Sequence, residues 1–345
     1  MRSGAVSSSV ALFLGPVAAF LVALHGGGCG DSGDDDGVGD AGAIADAAPG
    51  GSADAGSGAD GGVTDRDAAT ASCRSAADTF PPAWIRGGPD CGAEEEIQVH
   101  RLDQDTFILR QSLCTSFEAP FLYLLFGQDR VLLEDTGDGG IPIADAVLAI
   151  IDQVLAERGQ DSIELVVAHS HGHGDHTAGD EQFEGLPGVT VVGTSVSEVQ
   201  DFFSIGSWPD DTSSIDLGGR VVDVVPIPGH QGADIALFDR AAGLLLTGDT
   251  LYPGRLYIGD FAEYRASVGR LVQFAGERDV CWVLGAHIEM TVTPGEDYAM
   301  GVTSHPDEHP LQLGMEHLVE LGRALDDMGE RPVLEVHDDF IVFPL

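Results

Sequence analysis

The sequence contains no lysine, and arginine supplies all of its basic side chains. Sixteen arginines stand against 57 acidic residues, which gives a formal net charge of −41 at pH 7. A surface of this sign repels the phosphates of nucleic acids and of anionic lipids. We therefore expect no nucleic-acid partner, and we expect contact with a membrane only through a covalent anchor.

Apolar runs long enough to span a membrane are lacking as well. The N-terminal stretch Val10–Leu24 is apolar but short, and it is preceded by the charged Arg2, as in a signal peptide. The small residues before Cys29 resemble the end of a bacterial lipoprotein signal, which would make Cys29 the lipidated residue. Gly26 stands where such signals usually carry an aliphatic residue, so cleavage by the ordinary signal peptidase is the alternative. Both routes predict export to the periplasm or the cell surface.

Aromatic residues are absent from residues 30–72, which consist mainly of Gly, Ala, Asp and Ser. Such a segment buries too little apolar surface to offset the entropy lost on ordering. The sequence therefore predicts three parts, namely a signal peptide at 1–29, a disordered linker at 30–72 and a folded domain at 73–345.

Cysteine is scarce, and apart from Cys29 only four remain. An even number in an exported protein favours disulfides, and four cysteines allow three pairings. Cys73 and Cys91 flank a segment that contains Pro and Gly, and we expect them to form a bond at the entrance of the domain. Cys114 is left unassigned, whereas Cys281 lies in an apolar strand and is expected to be a buried thiol.

The domain alternates blocks of strands with helices, twice over. Period-two and continuous apolar runs predict strands, and apolar residues at helical spacing predict helices. The predicted strands are 97–102, 106–111, 121–126, 130–134, 163–168, 189–193, 221–226, 234–238, 243–246, 280–284, 333–336 and 340–343. The predicted helices are 143–158, 177–183, 195–205, 261–275 and 310–328. This order predicts an α/β fold.

Three histidines and an aspartate lie within six residues directly after the predicted strand 163–168. They are His171, His173, Asp175 and His176. Neutral imidazole and carboxylate are ligands that suit zinc and similar divalent metals. Because Asp175 and His176 are adjacent, they tend to point in different directions, which favours two metals over one.

This spacing resembles the HxHxDH signature of the metallo-β-lactamase superfamily. The rest of that pattern is found downstream as His230 after a Pro-Gly turn, Asp249 after a strand, and His287 after the next predicted strand. The resemblance covers about residues 97–345 and implies a four-layer αβ/βα sandwich.

The resemblance also implies a dinuclear zinc site, with two Zn²⁺ per chain. His171, His173 and His230 would bind the first ion. Asp175, His176 and His287 would bind the second, and Asp249 would bridge both. A hydroxide shared by the ions would attack a carbonyl carbon of a small-molecule substrate, and Asp175 would orient it or relay its proton.

Other residues are expected to assist. Supporting roles behind the ligands are expected for Asp135, Thr136 and His169. Tyr252 matches a tyrosine that acyl-homoserine lactonases carry three residues after the bridging aspartate, and it would donate a hydrogen bond to the substrate carbonyl. Arg255 and Tyr257 are candidates for substrate contact, although both also suit an ordinary surface loop.

The bridging Asp249 resembles hydroxyacylglutathione hydrolases, acyl-homoserine lactonases and zinc phosphodiesterases. The commonest secreted zinc β-lactamases carry Cys at this place. We therefore expect hydrolysis of an ester, thioester or lactone. The alternatives are a β-lactam hydrolase, a persulfide dioxygenase that uses one Fe²⁺, and a non-catalytic binding lipoprotein of the same fold.

Overall fold

Two β-sheets packed face to face form the centre of this protein. The computed structural model describes residues 80–89 and 91–345. The predicted signal peptide, the predicted linker, Cys29 and Cys73 lie outside the described residues.

The first sheet has six strands in chain order, with the helix α1, Ile143–Arg158, between the fourth and the fifth. Strands β1 to β4 are antiparallel, whereas β4, β5 and β6 are parallel. Their bounds are Ile97–Arg101, Thr106–Gln111, Phe121–Phe126, Arg130–Glu134, Glu164–Ala168 and Val189–Val191. Because β4 and β5 are parallel neighbours, the segments that follow them begin side by side.

The second sheet has five strands in the order β12-β10-β9-β8-β7. Only β10 and β12 pair in parallel. The strands β7 to β10 are Ser213–Asp216, Val221–Pro226, Ile235–Asp239 and Leu244–Gly248, and β12 is Trp282–Gly285. A third sheet, ordered β11-β14-β13, consists of Arg255–Ile258, Ile341–Pro344 and Glu335–Val336.

Helices cover the outer faces of the two large sheets. Helix α1 packs on the first sheet, and α4, Phe261–Gly276, and α5, Met315–Met328, pack on the second. The inner faces share one apolar core that includes Ile108, Tyr123, Val166, Val224, Leu237 and Leu246. The predicted four-layer αβ/βα sandwich is therefore confirmed. No helix of the described residues is both long and apolar enough to cross a membrane.

Several predicted elements differ from the structure. The short edge strand β7 and strand β11 were not predicted, and β11 pairs with a strand more than 80 residues away in the sequence, where local periodicity gives little signal.

The helix predicted from Pro310 begins at Met315, because Leu313 is held extended by paired backbone hydrogen bonds to Val283. The predicted helix 177–183 is one turn, α2 at Gly174–Thr177, followed by a 3₁₀ turn at Asp180–Gln182. Helix α3, Val196–Phe203, is capped at its N-terminus by the Ser195 side chain.

The disulfide prediction was wrong. Cys91 bonds to Cys114, with 5.3 Å between their Cα atoms, and not to Cys73. The reason is a turn after β2. The Ser112 hydroxyl in this turn donates to the Glu94 carboxylate, and this contact brings the segment around Cys91 onto the turn. Cys281 is disulfide-bonded too, and it is not the buried thiol that its apolar context predicted.

A buried ion pair joins the two large sheets. Arg220 donates to both carboxylate oxygens of Asp239, at 2.5 and 3.1 Å, and both side chains are buried. The same guanidinium donates to the Thr106 hydroxyl at 2.7 Å and to the carbonyl oxygens of Asp105 and Phe126 in the first sheet. One arginine therefore satisfies acceptors in both layers.

We expect Arg220→Leu to lower the free energy of unfolding by about 3–5 kcal/mol, because it leaves the Asp239 carboxylate buried without a cation. The matched control is Arg130→Leu, which breaks an exposed pair with Glu164 and should cost about 1 kcal/mol or less. Urea unfolding of both variants measures the difference. Equal losses would contradict the assigned role of Arg220.

Candidate metal centre

The ends of parallel strands converge at one edge of the sandwich. Residues 169–176 follow β5, and Asp249 and His287 follow the parallel pair β10 and β12. Gly248 has a φ of 48°, and a Cβ at this residue would lie 2.6 Å from the Cβ of Ser170. Only glycine therefore lets the end of β10 come close enough to place Asp249 beside the histidine cluster.

Three ring nitrogens of the first predicted ligand group face one another. The Nδ1 atom of His173 lies 2.9 Å from the Nε2 atoms of both His171 and His230, and these two Nε2 atoms are 3.2 Å apart. Two imidazole nitrogens bound tetrahedrally to one zinc ion at about 2.0–2.1 Å would be separated by about 3.3 Å. The spacing fits one such ion.

The second group consists of Asp175, His176, Asp249 and His287, whose ligand atoms all lie within 4.8 Å of one another. One oxygen of Asp175 lies 3.3 Å from the Nε2 atoms of both histidines. This donor set of two imidazoles and two carboxylates also suits a divalent cation.

Asp249 lies between the two groups. Its Oδ2 atom is 3.5 Å from Nε2 of His230 and 3.9 Å from Nε2 of His171. Its Oδ1 atom is 3.2 Å from Nε2 of His287 and 3.5 Å from Nε2 of His176. Each carboxylate oxygen therefore faces one group, as a bridging ligand requires.

Buried polar atoms test whether the site fits cations. His176 Nε2 and Asp249 Oδ1 are buried and have no hydrogen-bond partner among the described residues. An unpaired buried polar atom costs about 1–3 kcal/mol, and more when it is charged. A divalent cation would satisfy both atoms at once, so the residues present fit a pair of such ions. That the seven side chains bind metal stays a prediction.

Hydrogen bonds fix the orientation of three of these histidines. His176 donates through Nδ1 to Asp135 at 2.8 Å. His230 and His287 donate through Nδ1 to the carbonyl oxygens of Tyr257 and Glu118, at 2.6 and 2.8 Å. In each ring the Nε2 atom is thereby left to face the centre, which is how outer partners orient metal ligands.

The other predicted supporting residues hold the backbone of the histidine loop. Thr136 donates from its backbone N–H to the carbonyl oxygen of His176 at 2.8 Å and from its hydroxyl to Asp180 at 2.7 Å. His169 reaches the same carbonyl through Nδ1 at 3.2 Å, and its Nε2 lies 3.3 Å from Asp180. Asp180 and Ser170, which donates twice to Asp135, were missed, because a lone Asp or Ser in a loop gives no sequence signal.

Charges of opposite sign offset the cost of burial here. Burial favours neutral groups, but the Asp135 and Asp249 carboxylates raise the pKa of His176 well above its ordinary value. Burial would likewise raise the pKa of Asp249, yet His287 and His176 hold it well below its ordinary value. In the first group, burial and the neighbouring His176 lower the pKa of His171. The centre therefore keeps the Asp249 carboxylate ionised beside the neutral imidazole of His171.

Tyr252 and Arg255 lie next to the centre, and both are already paired. The buried Tyr252 hydroxyl donates to the carbonyl oxygen of Arg255, and its ring packs edge-on against His287. The Arg255 guanidinium pairs with Glu289 at 3.0 Å and with Asp297 at 2.6 Å. Their predicted roles toward substrate stay predictions.

We expect Asp135→Ala to weaken zinc binding at the second group by about 10–100-fold, because His176 loses the acceptor that orients it. Competition with a chromophoric chelator, resolved into two binding phases, measures this. The control Asp145→Ala, an exposed residue of α1, should change neither phase. Unchanged binding in both variants would contradict an orienting role.

Comparisons with known proteins found similar sequences and structures. The hydroxyacylglutathione hydrolase of Aeromonas salmonicida is 32% identical over 160 residues, which is 45% of this chain and 57% of that protein. The one from Aeromonas hydrophila is 29% identical over 201 residues, which is 57% of this chain and 70% of that protein. The match thus spans little more than half the length of the first relative. A solved metallo-β-lactamase from Pontibacter korlensis is 17% identical, with 67% of this chain and 99% of that chain covered and a TM-score of 0.45.

The family model for the metallo-beta-lactamase superfamily matches residues 117–293, just over half of the 345 residues. The matched region contains all seven side chains of the two groups and the buried Asp135 behind them. This chain therefore belongs to the metallo-β-lactamase superfamily.

Proposed function

We propose that this protein is a dinuclear zinc hydrolase that cleaves an ester, thioester or lactone. The observation that carries the proposal is the position of Asp249, whose two oxygens face two separate groups of ligand atoms. The relatives support it, because they are named as hydrolases of a thioester, hydroxyacylglutathione.

His171, His173 and His230 would hold one ion, and Asp175, His176 and His287 the other, with Asp249 between them. When bound, two divalent cations lower the pKa of a shared water and polarise a carbonyl group.

The residues of the chain itself would bind the substrate and move the proton. Asp175 is the more exposed carboxylate of the second group, and the exposed His173 lies two residues before it. Substrate therefore approaches from the side of these residues. Burial would raise the pKa of Asp175, but His176 and His287 hold it below its ordinary value, so the carboxylate is ionised and can orient the nucleophile by accepting a hydrogen bond.

The first test is metal analysis of the purified full chain together with a panel of thioesters, lactones, β-lactams and phosphodiesters. We expect close to two zinc ions per chain and hydrolysis of a thioester or lactone. Asp249→Ala should lower this activity on the order of a thousandfold, because the groups lose their shared ligand. The control Asp145→Ala should leave it unchanged.

Other outcomes would overturn the proposal. One iron per chain with oxygen consumption would identify a dioxygenase. Hydrolysis of β-lactams alone would identify a β-lactamase, and protein that binds no metal would point to a binding protein of the same fold.

Tyr252→Phe removes the hydroxyl that was predicted from the sequence to donate a hydrogen bond to the substrate carbonyl. Because this hydroxyl is buried and donates to Arg255, its removal should cost about 1 kcal/mol of stability and change kcat by only a few-fold. Melting curves and steady-state kinetics measure both effects. A loss of about a hundredfold or more in kcat would instead assign Tyr252 to the stabilisation of the transition state.

We propose further that the protein acts outside the cytoplasm, attached through a lipid on Cys29. This rests on the apolar N-terminal stretch and the small residues before Cys29. Cys29→Ser should release the protein from the membrane fraction of cells that express the full chain.

A further inference from the structure

A cavity of about 150 Å³ adjoins the metal centre. Its lining includes Glu118 and Tyr257, whose backbone carbonyls accept from His287 and His230. The two linked histidines belong to different ligand groups. Two residues of the lining therefore contact ligands of both groups, so the cavity lies beside the centre.

The one arginine of this lining has no free charge to offer a ligand. Arg255 pairs with Glu289 through one guanidinium nitrogen and with Asp297 through another, and the latter nitrogen also donates to the carbonyl oxygen of Tyr298. Its backbone N–H donates to Glu289 as well, at 2.7 Å. Two carboxylates thus surround one cation, and an incoming anion would have to displace one of them.

The other basic candidate of the lining is neutralised in the same way. His305 contacts Glu308 at 3.0 Å, and its ring stacks on Tyr298 with the centroids 4.0 Å apart. Glu308 is itself paired with the buried Arg110 through two short contacts. Each basic side chain of this lining therefore already has an acidic partner.

The remaining lining consists of apolar and acidic side chains and the tyrosines Tyr257 and Tyr298. The exposed side chains of Phe117, Met300 and Val302, which are 47%, 69% and 37% exposed, lie at this cavity. Large apolar side chains at a cavity favour an apolar ligand. Glu118 adds a carboxyl group, and Glu289 adds the carboxylate that pairs with Arg255, so the lining offers no unpaired cation to a carboxylate of the ligand.

We propose that this cavity selects an uncharged, apolar part of the substrate and excludes carboxylates. The proposal rests on the proposed function, and it narrows the substrate to neutral esters, thioesters or lactones. It also separates this chain from an enzyme whose substrate is the anionic thioester of glutathione, a thiol with two carboxylates.

The test uses four thioesters, in which a butyryl or succinyl acyl group is combined with the neutral thiol N-acetylcysteamine or with glutathione. The butyryl thioester of N-acetylcysteamine should have the highest kcat/KM. A carboxylate on the part that enters the cavity should lower kcat/KM by about tenfold or more. Equal or faster hydrolysis of the succinyl and glutathione thioesters would overturn the proposal.

Measurements at high salt distinguish selection by the cavity from repulsion by the overall charge of the chain. At about 1 M salt the Debye length falls to about 3 Å, so the field of the whole acidic surface is screened. Discrimination that persists under these conditions supports selection by groups in contact with the ligand. Discrimination that disappears would assign it to the net charge and overturn the proposal.

Two substitutions test whether the preference for the neutral thioester arises at this cavity. Phe117→Arg and Met300→Arg place an unpaired cation at the cavity, and both should reduce the preference for the neutral thioester. The matched control is Phe202→Arg on α3, an exposed phenylalanine outside this lining. It adds the same charge and should leave the preference unchanged. Melting curves establish that all three variants fold, and an equal effect of Phe117→Arg and Phe202→Arg would contradict the assignment.

A binding measurement keeps this inference separate from the proposed function. Calorimetry on chelator-treated wild-type protein compares two thioethers that cannot be hydrolysed, N-acetyl-S-hexylcysteamine and S-hexylglutathione. We expect the neutral thioether to bind about tenfold more tightly. If it does while no thioester is cleaved, the proposed reaction fails and the cavity assignment stands. If glutathione thioesters are cleaved and S-hexylglutathione binds as tightly, the hydrolase stands and the cavity assignment fails.

Discussion

The rest of the centre depends on one buried carboxylate, that of Asp249. It lies between five imidazoles and a second carboxylate, with one oxygen that has no hydrogen-bond partner among the described residues. A buried anion is costly unless cations surround it. The neighbouring histidines lower its pKa, and a pair of divalent ions would compensate it fully. The acidic residues behind the ligands are tolerated for the same reason.

Chain topology places these groups together. Strands β4 and β5 are parallel in one sheet, and β10 and β12 are parallel in the other, so four strand ends supply the site from two layers. The rigid sheets fix the ligand loops, while Gly248 permits the close approach between the layers. Hydrogen bonds that His176, His230 and His287 donate to Asp135, Tyr257 and Glu118 then set the ring orientations. Geometry of this kind would preorganise the site for the predicted metal ions.

Arginine has a consistent role in a chain with such an excess of acid. Arg220 joins the two sheets, and Arg110 holds Glu308 near the substrate cavity. Arg255 is enclosed by Glu289 and Asp297, so that the cavity carries no available positive charge. In each case the guanidinium fork satisfies several acceptors at once, which a lysine ammonium does less well. These three arginines therefore serve the architecture of the described residues, because each is paired within the protein.

Hydrophobic periodicity in the sequence determined the α/β class and most strands and helices, and local spacing identified His171, His173, Asp175 and His176. The other three clustered side chains, His230, Asp249 and His287, were predicted from the resemblance to the metallo-β-lactamase superfamily. The sequence did not determine the pairing of Cys91 with Cys114, strand β11, or the roles of Asp180 and Ser170, since these depend on contacts between distant segments. The commitment of Arg255 and Tyr252 to partners within the chain is likewise visible only in three dimensions. The sequence shows which side chains can carry a charge. The tertiary structure decides whether each charge is paired within the protein or accessible to a substrate, because it places the neighbouring groups.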